Sequence, residues 1–162
     1  MVATAHEEAK SALKEIRDLV RGIHPVILED RGLDAALSAV VARSPIPVAL
    51  EVAVPQRPSP AVESAAYFVV NEALTNVTRH AMATKAHVSI ARAGDRLVIE
   101  VRDDGIGGAE LLTDDEARAR GKSGGSGLNG LRDRVAGLGG TMYVISPHGG
   151  PTTISVELPC GS

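Results

Sequence analysis

The sequence predicts an α+β fold with helices covering one face of a mixed sheet whose adjacent hairpins are antiparallel. Two observations carry that reading. Runs with alternating apolar and polar residues occur in pairs, 85–92 with 96–103 and 141–146 with 152–159, and each pair reads as a hairpin. Segments with helical periodicity fall between them, in the order helix, strand, helix, strand pair, loop, helix, strand pair. No internal repeat interrupts this order. At 162 residues one domain with a short appendage is expected. Aromatic residues make up only 2% of the chain, so Val, Leu, Ile and Ala must build the core.

The elements follow in order. Residues 7–21, EEAKSALKEIRDLVR, read as a charged helix with Ala9, Leu13, Ile16 and Val20 on one stripe. It stops at GIHP, because Pro25 disfavours helix in the residue before it. That stripe needs a partner, as half of a hairpin or coiled coil would. A second helix is expected over residues 33–41 and a strand over 46–54. Pro55, Pro58 and Pro60 break the chain before a long helix over 61–81. The first strand pair turns at Gly94-Asp95. A glycine-rich stretch over 105–130 leads into a helix with Leu128, Leu131, Val135 and Leu138 on one face, ending at Gly139-Gly140.

Composition narrows the function. A net charge of −3, with two Tyr, one Phe and no Trp, gives neither the basic footprint nor the stacking platform of a nucleic-acid binder. The single cysteine, Cys160, fits a reducing compartment, and no apolar run is long enough to span a bilayer. A cytoplasmic chain is expected.

Three stretches suggest chemistry. The first is NEALTNVTRHA, residues 71–81. Val70, Leu74, Val77 and Ala81 form its apolar stripe, while Glu72, Asn76 and His80 are spaced by four with Arg79 beside them. An amide oxygen such as that of Asn76 can ligate Mg²⁺, a cation one turn on can neutralise phosphate, and a carboxylate one turn back can orient water. The second is VIEVRDDGIGG, residues 98–108. Asp103 shares strand parity with Leu97, Ile99 and Val101 and so points inward, where a carboxylate needs a partner such as the exocyclic amine of adenine; Asp104 points away. Gly105, Gly107 and Gly108 let the backbone approach a ligand. The third is GKSGGSGLNGLRDRV, residues 121–135, where glycines run into a helix N-terminus and its free amides near Gly127-Leu128. It is not a Walker motif: the glycine required five residues before Gly121 is Glu116, and Thr113 with Glu116 reads as a capping box.

Together and in this order, the motifs resemble the nucleotide-binding superfamily that includes gyrase, the MutL repair proteins and sensor histidine kinases. NEALTNVTRHA is similar to its N box, DDGIG to its Asp-x-Gly-x-Gly box, and GGSGLNGLRDRV to its glycine box. EALTNVTRHA, GLNGLRDRVAGLGG and VRGIHPVILEDRGLDAAL further resemble histidine kinases paired with NarL-type response regulators, and the match runs over residues 7–159.

The resemblance implies a Bergerat-type ATP-binding fold, a two-layer α/β sandwich, over residues 25–160. Residues 1–24 would be a remnant of the second helix of a dimerisation hairpin, and 109–126 an ATP lid. It implies ATP and Mg²⁺, with Asn76 holding the metal and Asp103 accepting from the adenine amine. Gly105 and Gly107 would stand in the same pocket. Arg79 and His80 would face the phosphates, and Gly125, Gly127 and Leu128 would offer them backbone amides. Glu72 matches a water-activating carboxylate of other branches, or supports the metal. Thr152 or Thr153 matches a closing threonine, although this chain has Pro151-Thr152 where the family has Gly-Thr.

The implied activity is transfer of the γ-phosphoryl group of ATP to a histidine on the hairpin. The partners would be that hairpin, a response regulator and a second subunit; the parent could be anchored in a membrane. The phosphoacceptor histidine is expected to lie outside this chain: His6 sits in the wrong half of the hairpin pattern, His24 reads as structural, and His87 and His148 have no evident partners. The same residues also fit an ATPase, a serine kinase of the superfamily, or a nucleotide-gated dimerisation module without turnover.

Overall fold

A computed structural model of the chain describes residues 25–111 and 127–161. The expected helix over 7–21, the capping box at Thr113, and Gly125 therefore lie outside the described residues, as does most of the expected lid.

The described chain forms α1 (Val26–Ala42), β1 (Val48–Ala53), α2 (Pro60–Asn76) running into a π-helical turn (Val77–Ala81), β2 (Ala86–Ala93), β3 (Arg96–Asp103), α3 (Leu128–Gly137), β4 (Thr141–Ile145) and β5 (Thr152–Pro159). The five strands make one sheet in the order β1-β2-β3-β5-β4. β1 pairs parallel with β2 and the other pairs are antiparallel, so the sheet is mixed and mostly antiparallel, as expected.

Strand parity explains the layers. Leu97, Ile99 and Val101 of β3, and Ile154, Val156 and Leu158 of β5, are buried against the helices. Successive side chains alternate between faces, which sends Glu100, Arg102 and Glu157 to the opposite face. There Arg96 lies 3.8 Å from Glu157, and His87 meets Glu51 at 3.3 Å across the parallel pair, a partner the sequence did not reveal. The core is aliphatic throughout: Leu28, Leu37, Val69, Val70, Ile90 and Val135 are each almost fully enclosed. Each such side chain contributes roughly 1.5–3 kcal/mol of burial free energy, which is how a core nearly free of aromatics suffices.

Two departures from the sequence reading, at the start of α1 and at the end of α2, have local causes. Helix α1 begins seven residues before the expected start at Leu33, because it contains a kink at Gly32 (φ 82°) that separates a first short helical stretch from the second. The start of α2 is held by a fork: Arg57 donates to both carboxylate oxygens of buried Glu63, Nε at 3.1 Å, and to the carbonyls of Leu28 and Glu29. This clip joins the short helical stretch of α1 to α2. Ser59 caps α2 and Pro60 opens it, as helix starts favour. The long helix does run to Ala81, but its last turn is π-helical. Bonding from i to i+5 widens that turn, so the step from Asn76 to His80 differs from that of an ideal α-helix.

Candidate functional site

The sheet, the end of α2 and two loops meet at one place. β3 ends on Asp103, whose register partner on β5 is Thr152, the first residue of that strand. Both lie on the core-facing rows of their strands and both are buried, Asp103 at 5% exposure and Thr152 at 8%. Thr153 has the opposite parity and is only half-buried, so of the two threonines it is Thr152 that stands beside Asp103.

Asp103 holds its own turn together. One of its oxygens accepts the N–H of Gly105 at 2.8 Å. The other takes no protein donor among the described residues, and no buried side-chain oxygen or nitrogen there is left without a partner. That second oxygen therefore reaches open space. A carboxylate so placed is an acceptor waiting for a donor.

The glycines following it are required by proximity. A side chain on Gly105 would collide with the carbonyl oxygen of Ala81, at the end of the π turn. Gly107, at φ +67°, faces the carbonyl of Pro147 at a separation that leaves no room for a Cβ. Backbone bonds lock the same contacts: Ile106 N–H to Ala81 O at 2.8 Å, Gly108 N–H to Ser146 O at 3.0 Å, and Gly149 N–H to Ile106 O at 2.7 Å. The end of α2, the turn after β3 and the loop between β4 and β5 thus form one unit.

Asp104 points away, as its parity predicts. Its carboxylate accepts the hydroxyl of Thr84 and the backbone amides of Thr84 (2.8 Å) and Lys85 (3.1 Å), tying the segment after the π turn to the end of β3. The Thr84 hydroxyl, then the Lys85 and Thr84 amides, pull its pKa down to about 2.

The α2 residues present a different surface. Glu72 and Asn76 are half-buried on neighbouring turns; Arg79 and His80 are exposed on the π turn. Among the described residues no side chain of these four has a hydrogen-bond or ion-pair partner. Thr75 and Thr78, by contrast, bond back to the carbonyls of Asn71 and Leu74. Nor do three His, Cys, Asp or Glu side chains among the described residues come together as a metal cage. Mg²⁺ commonly binds through one or two protein oxygens with waters and phosphate oxygens, and the open amide of Asn76, one turn from Glu72, fits that donor set.

Gly127 is the N-cap of α3 at φ 83°, a conformation suited to glycine, and Leu128 is the first residue of the helix. α3 packs on α2 through buried Leu131 and Val135, and the Arg134 guanidinium lies 4.3 Å from the centre of the Phe68 ring. The structure thus brings Asp103, Gly105, Gly107 and Thr152 together next to the end of the helix bearing Glu72, Asn76, Arg79 and His80. It places Gly127 and Leu128 at the start of the helix adjoining that one.

Sequence reasoning missed Ser146. Its hydroxyl accepts the N–H of Ala109 at 2.9 Å and lies 2.7 Å from the hydroxyl of Thr152. A serine before a proline in a turn carries no signal of its own. His148, which had no evident partner, lies against Gly108, its Nδ1 3.0 Å from where a Cβ would stand.

Comparison with known proteins bears on the family and the fold. Residues 61–162 match the family described as histidine kinase-, DNA gyrase B- and HSP90-like ATPase. The chain is 34% identical over 155 residues to the sensor histidine kinase NarS of Mycobacterium tuberculosis, covering 93% of this chain and 35% of that protein. It is 32% identical over 154 residues to the sensor histidine kinase LiaS of Bacillus subtilis, covering 93% and 41%. Among solved structures, the blue-light activated histidine kinase of Erythrobacter litoralis is similar at a TM-score of 0.56 and 25% identity, over 80% of this chain and 41% of that one. The chain spans between a third and a half of the length of these relatives. Among the described residues no helix is long and apolar enough to cross a membrane.

Proposed function

The chain belongs to the histidine kinase-, DNA gyrase B- and HSP90-like ATPase family, and from that premise we propose that it is the Mg-ATP-binding catalytic part of a sensor histidine kinase. The observation that carries this reading is the buried Asp103 carboxylate, with one oxygen bound to Gly105 and the other open, beside the end of the α2 row. The adenine amine would donate to that open oxygen. Gly105 and Gly107, by packing against the Ala81 and Pro147 carbonyls, would hold the turn that forms this side of the pocket.

The triphosphate would extend from there toward α2 and the start of α3. Asn76 would hold Mg²⁺, which lowers the cost of charge on the phosphates when bound. Arg79 and His80 would face the phosphate oxygens, and the amides at Gly127 and Leu128 would add donors at a helix N-terminus. Glu72 would support Asn76 or polarise the attacking group. In the transfer itself, a histidine nitrogen supplied by the dimerisation hairpin forms a bond to the γ-phosphorus. The bond from that phosphorus to the bridging oxygen breaks, and its electrons leave with ADP. The chain's part is positioning and charge compensation.

We further propose that the parent is a homodimer that passes the phosphoryl group to a NarL-type response regulator in the cytoplasm. The names of the relatives support a sensor histidine kinase, and the stretches VRGIHPVILEDRGLDAAL and GLNGLRDRVAGLGG resemble the NarL-type class. The test is to incubate the chain with γ-labelled ATP and a separately supplied hairpin of such a kinase. Acid-labile, base-stable label on the hairpin is expected. Acid-stable label on serine, or release of free phosphate alone, would overturn the histidine-kinase reading. Label on a histidine of the chain itself would overturn the proposal that the acceptor lies elsewhere.

A further inference from the structure

We propose that Ser146 is a positioning residue of the adenine pocket, acting through Thr152; this rests on the nucleotide reading above. Ser146 grips three parts of the pocket wall. Its carbonyl accepts the Gly108 N–H at 3.0 Å, its hydroxyl accepts the Ala109 N–H at 2.9 Å, and the same hydroxyl lies 2.7 Å from Thr152 Oγ1. Thr152 is the register partner of Asp103, so one hydroxyl connects the adenine-facing pair of residues to the backbone at Ala109, where the chain leaves the pocket.

A serine hydroxyl has one proton and two lone pairs. Ala109 occupies one lone pair, so the proton is free to go to Thr152, and in this proposal Ser146 is the donor of the pair. With Ser146 donating, the buried Thr152 hydroxyl keeps its own proton for another acceptor. It then presents a donor to an acceptor nitrogen of the base, next to the acceptor that Asp103 presents to the amine. Donor and acceptor side by side are the complement of the edge of adenine. Without Ser146, Thr152 can rotate and offer either a proton or a lone pair, so recognition weakens although no ligand contact has been removed.

The experiment is a double-mutant cycle on the 162-residue chain, read by calorimetric titration with ATP and with adenosine. Ser146→Ala is expected to weaken both ligands by about three- to tenfold, the worth of one hydrogen bond. Ser146→Thr should restore binding to near the unaltered value, because it returns the hydroxyl. Thr152→Val should lose as much as Ser146→Ala, and the double variant no more than Thr152→Val alone. Losses that multiply in the double variant would show that Ser146 acts independently of Thr152 and would overturn the proposal. So would unaltered binding in Ser146→Ala, or a Ser146→Thr variant as weak as the alanine one. Thermal melting checks each variant, and Ser146→Cys replaces the alanine variant if that one does not fold. If the unaltered chain binds neither ATP nor adenosine, the nucleotide reading fails and this proposal with it; normal binding that is insensitive to Ser146 defeats this proposal alone.

Discussion

Asp103, Ser146 and Thr152 are held by hydrogen bonds to the loops around them, whereas the side chains of Glu72, Asn76, Arg79 and His80 hold nothing among the described residues. The first group sits at strand ends, where backbone pairing fixes each position and a glycine turn closes tightly over it. The second lies along a helix face and a widened π turn, with polar ends open to water. The difference matches what each would recognise. A flat base of one shape rewards a preorganised pocket. A triphosphate with its metal brings its own charge and waters, and can order flexible side chains around itself. The adenine end should therefore be intolerant of change and important to folding, and the phosphate end tolerant of change and important to binding alone.

The largest effect expected from this contrast is at Gly107. Gly107→Val puts a branched side chain at φ +67° into the carbonyl of Pro147. It should cost roughly 3 kcal/mol of stability and abolish nucleotide binding, as read by denaturant unfolding and titration. An unchanged unfolding midpoint would mean the two loops are not packed as described.

At the other end, Gly127→Val meets no neighbour within 4 Å but strains the N-cap of α3 at φ 83°. ADP and ATP binding should weaken by roughly tenfold, reflecting about 1–2 kcal/mol of strain, with adenosine unaffected. Equal loss for ADP and adenosine would break the separation between the two ends.

Smaller still, Asn76→Ala should remove most of the gain in ATP affinity that Mg²⁺ provides, by roughly tenfold, while leaving unfolding free energy within about 0.5 kcal/mol. A Mg²⁺ gain that survives the change would remove Asn76 from the metal.

The subtlest effect concerns Asp104, which supports the adenine end from outside. Its folded pKa of about 2 lies below the ordinary 3.8, so the stability it contributes is present above pH 4 and lost as pH falls toward 2. Asp104→Asn should be less stable than the unaltered chain at neutral pH, and the gap should close across that window in acid unfolding curves. A gap independent of pH would assign the effect to shape rather than charge.

Much of this was legible in the sequence, and the reason is periodicity. Strand parity alone sent Asp103 inward and Asp104 outward, and the two hairpins, α2 and α3 followed from apolar spacing. What was not legible depends on contacts distant in the chain. The Arg57–Glu63 clip joins a loop to a helix start and to the carbonyls of Leu28 and Glu29. The first stretch of α1 was hidden because Gly32 reads as a break. The π turn after Asn76 has no local signature, so apolar spacing alone reads the helix as regular through to Ala81. Ser146 became a site residue only when the β4–β5 loop folded against the turn after β3.

The most direct test titrates the chain with adenosine and with ATP, each with and without Mg²⁺, beside Asp103→Ala. Adenosine binding should be indifferent to Mg²⁺, ATP binding strengthened by it, and both reduced by roughly ten- to hundredfold when Asp103 is lost. ATP binding that is undiminished in Asp103→Ala would contradict the placement of the base, and with it the reading of the whole cleft.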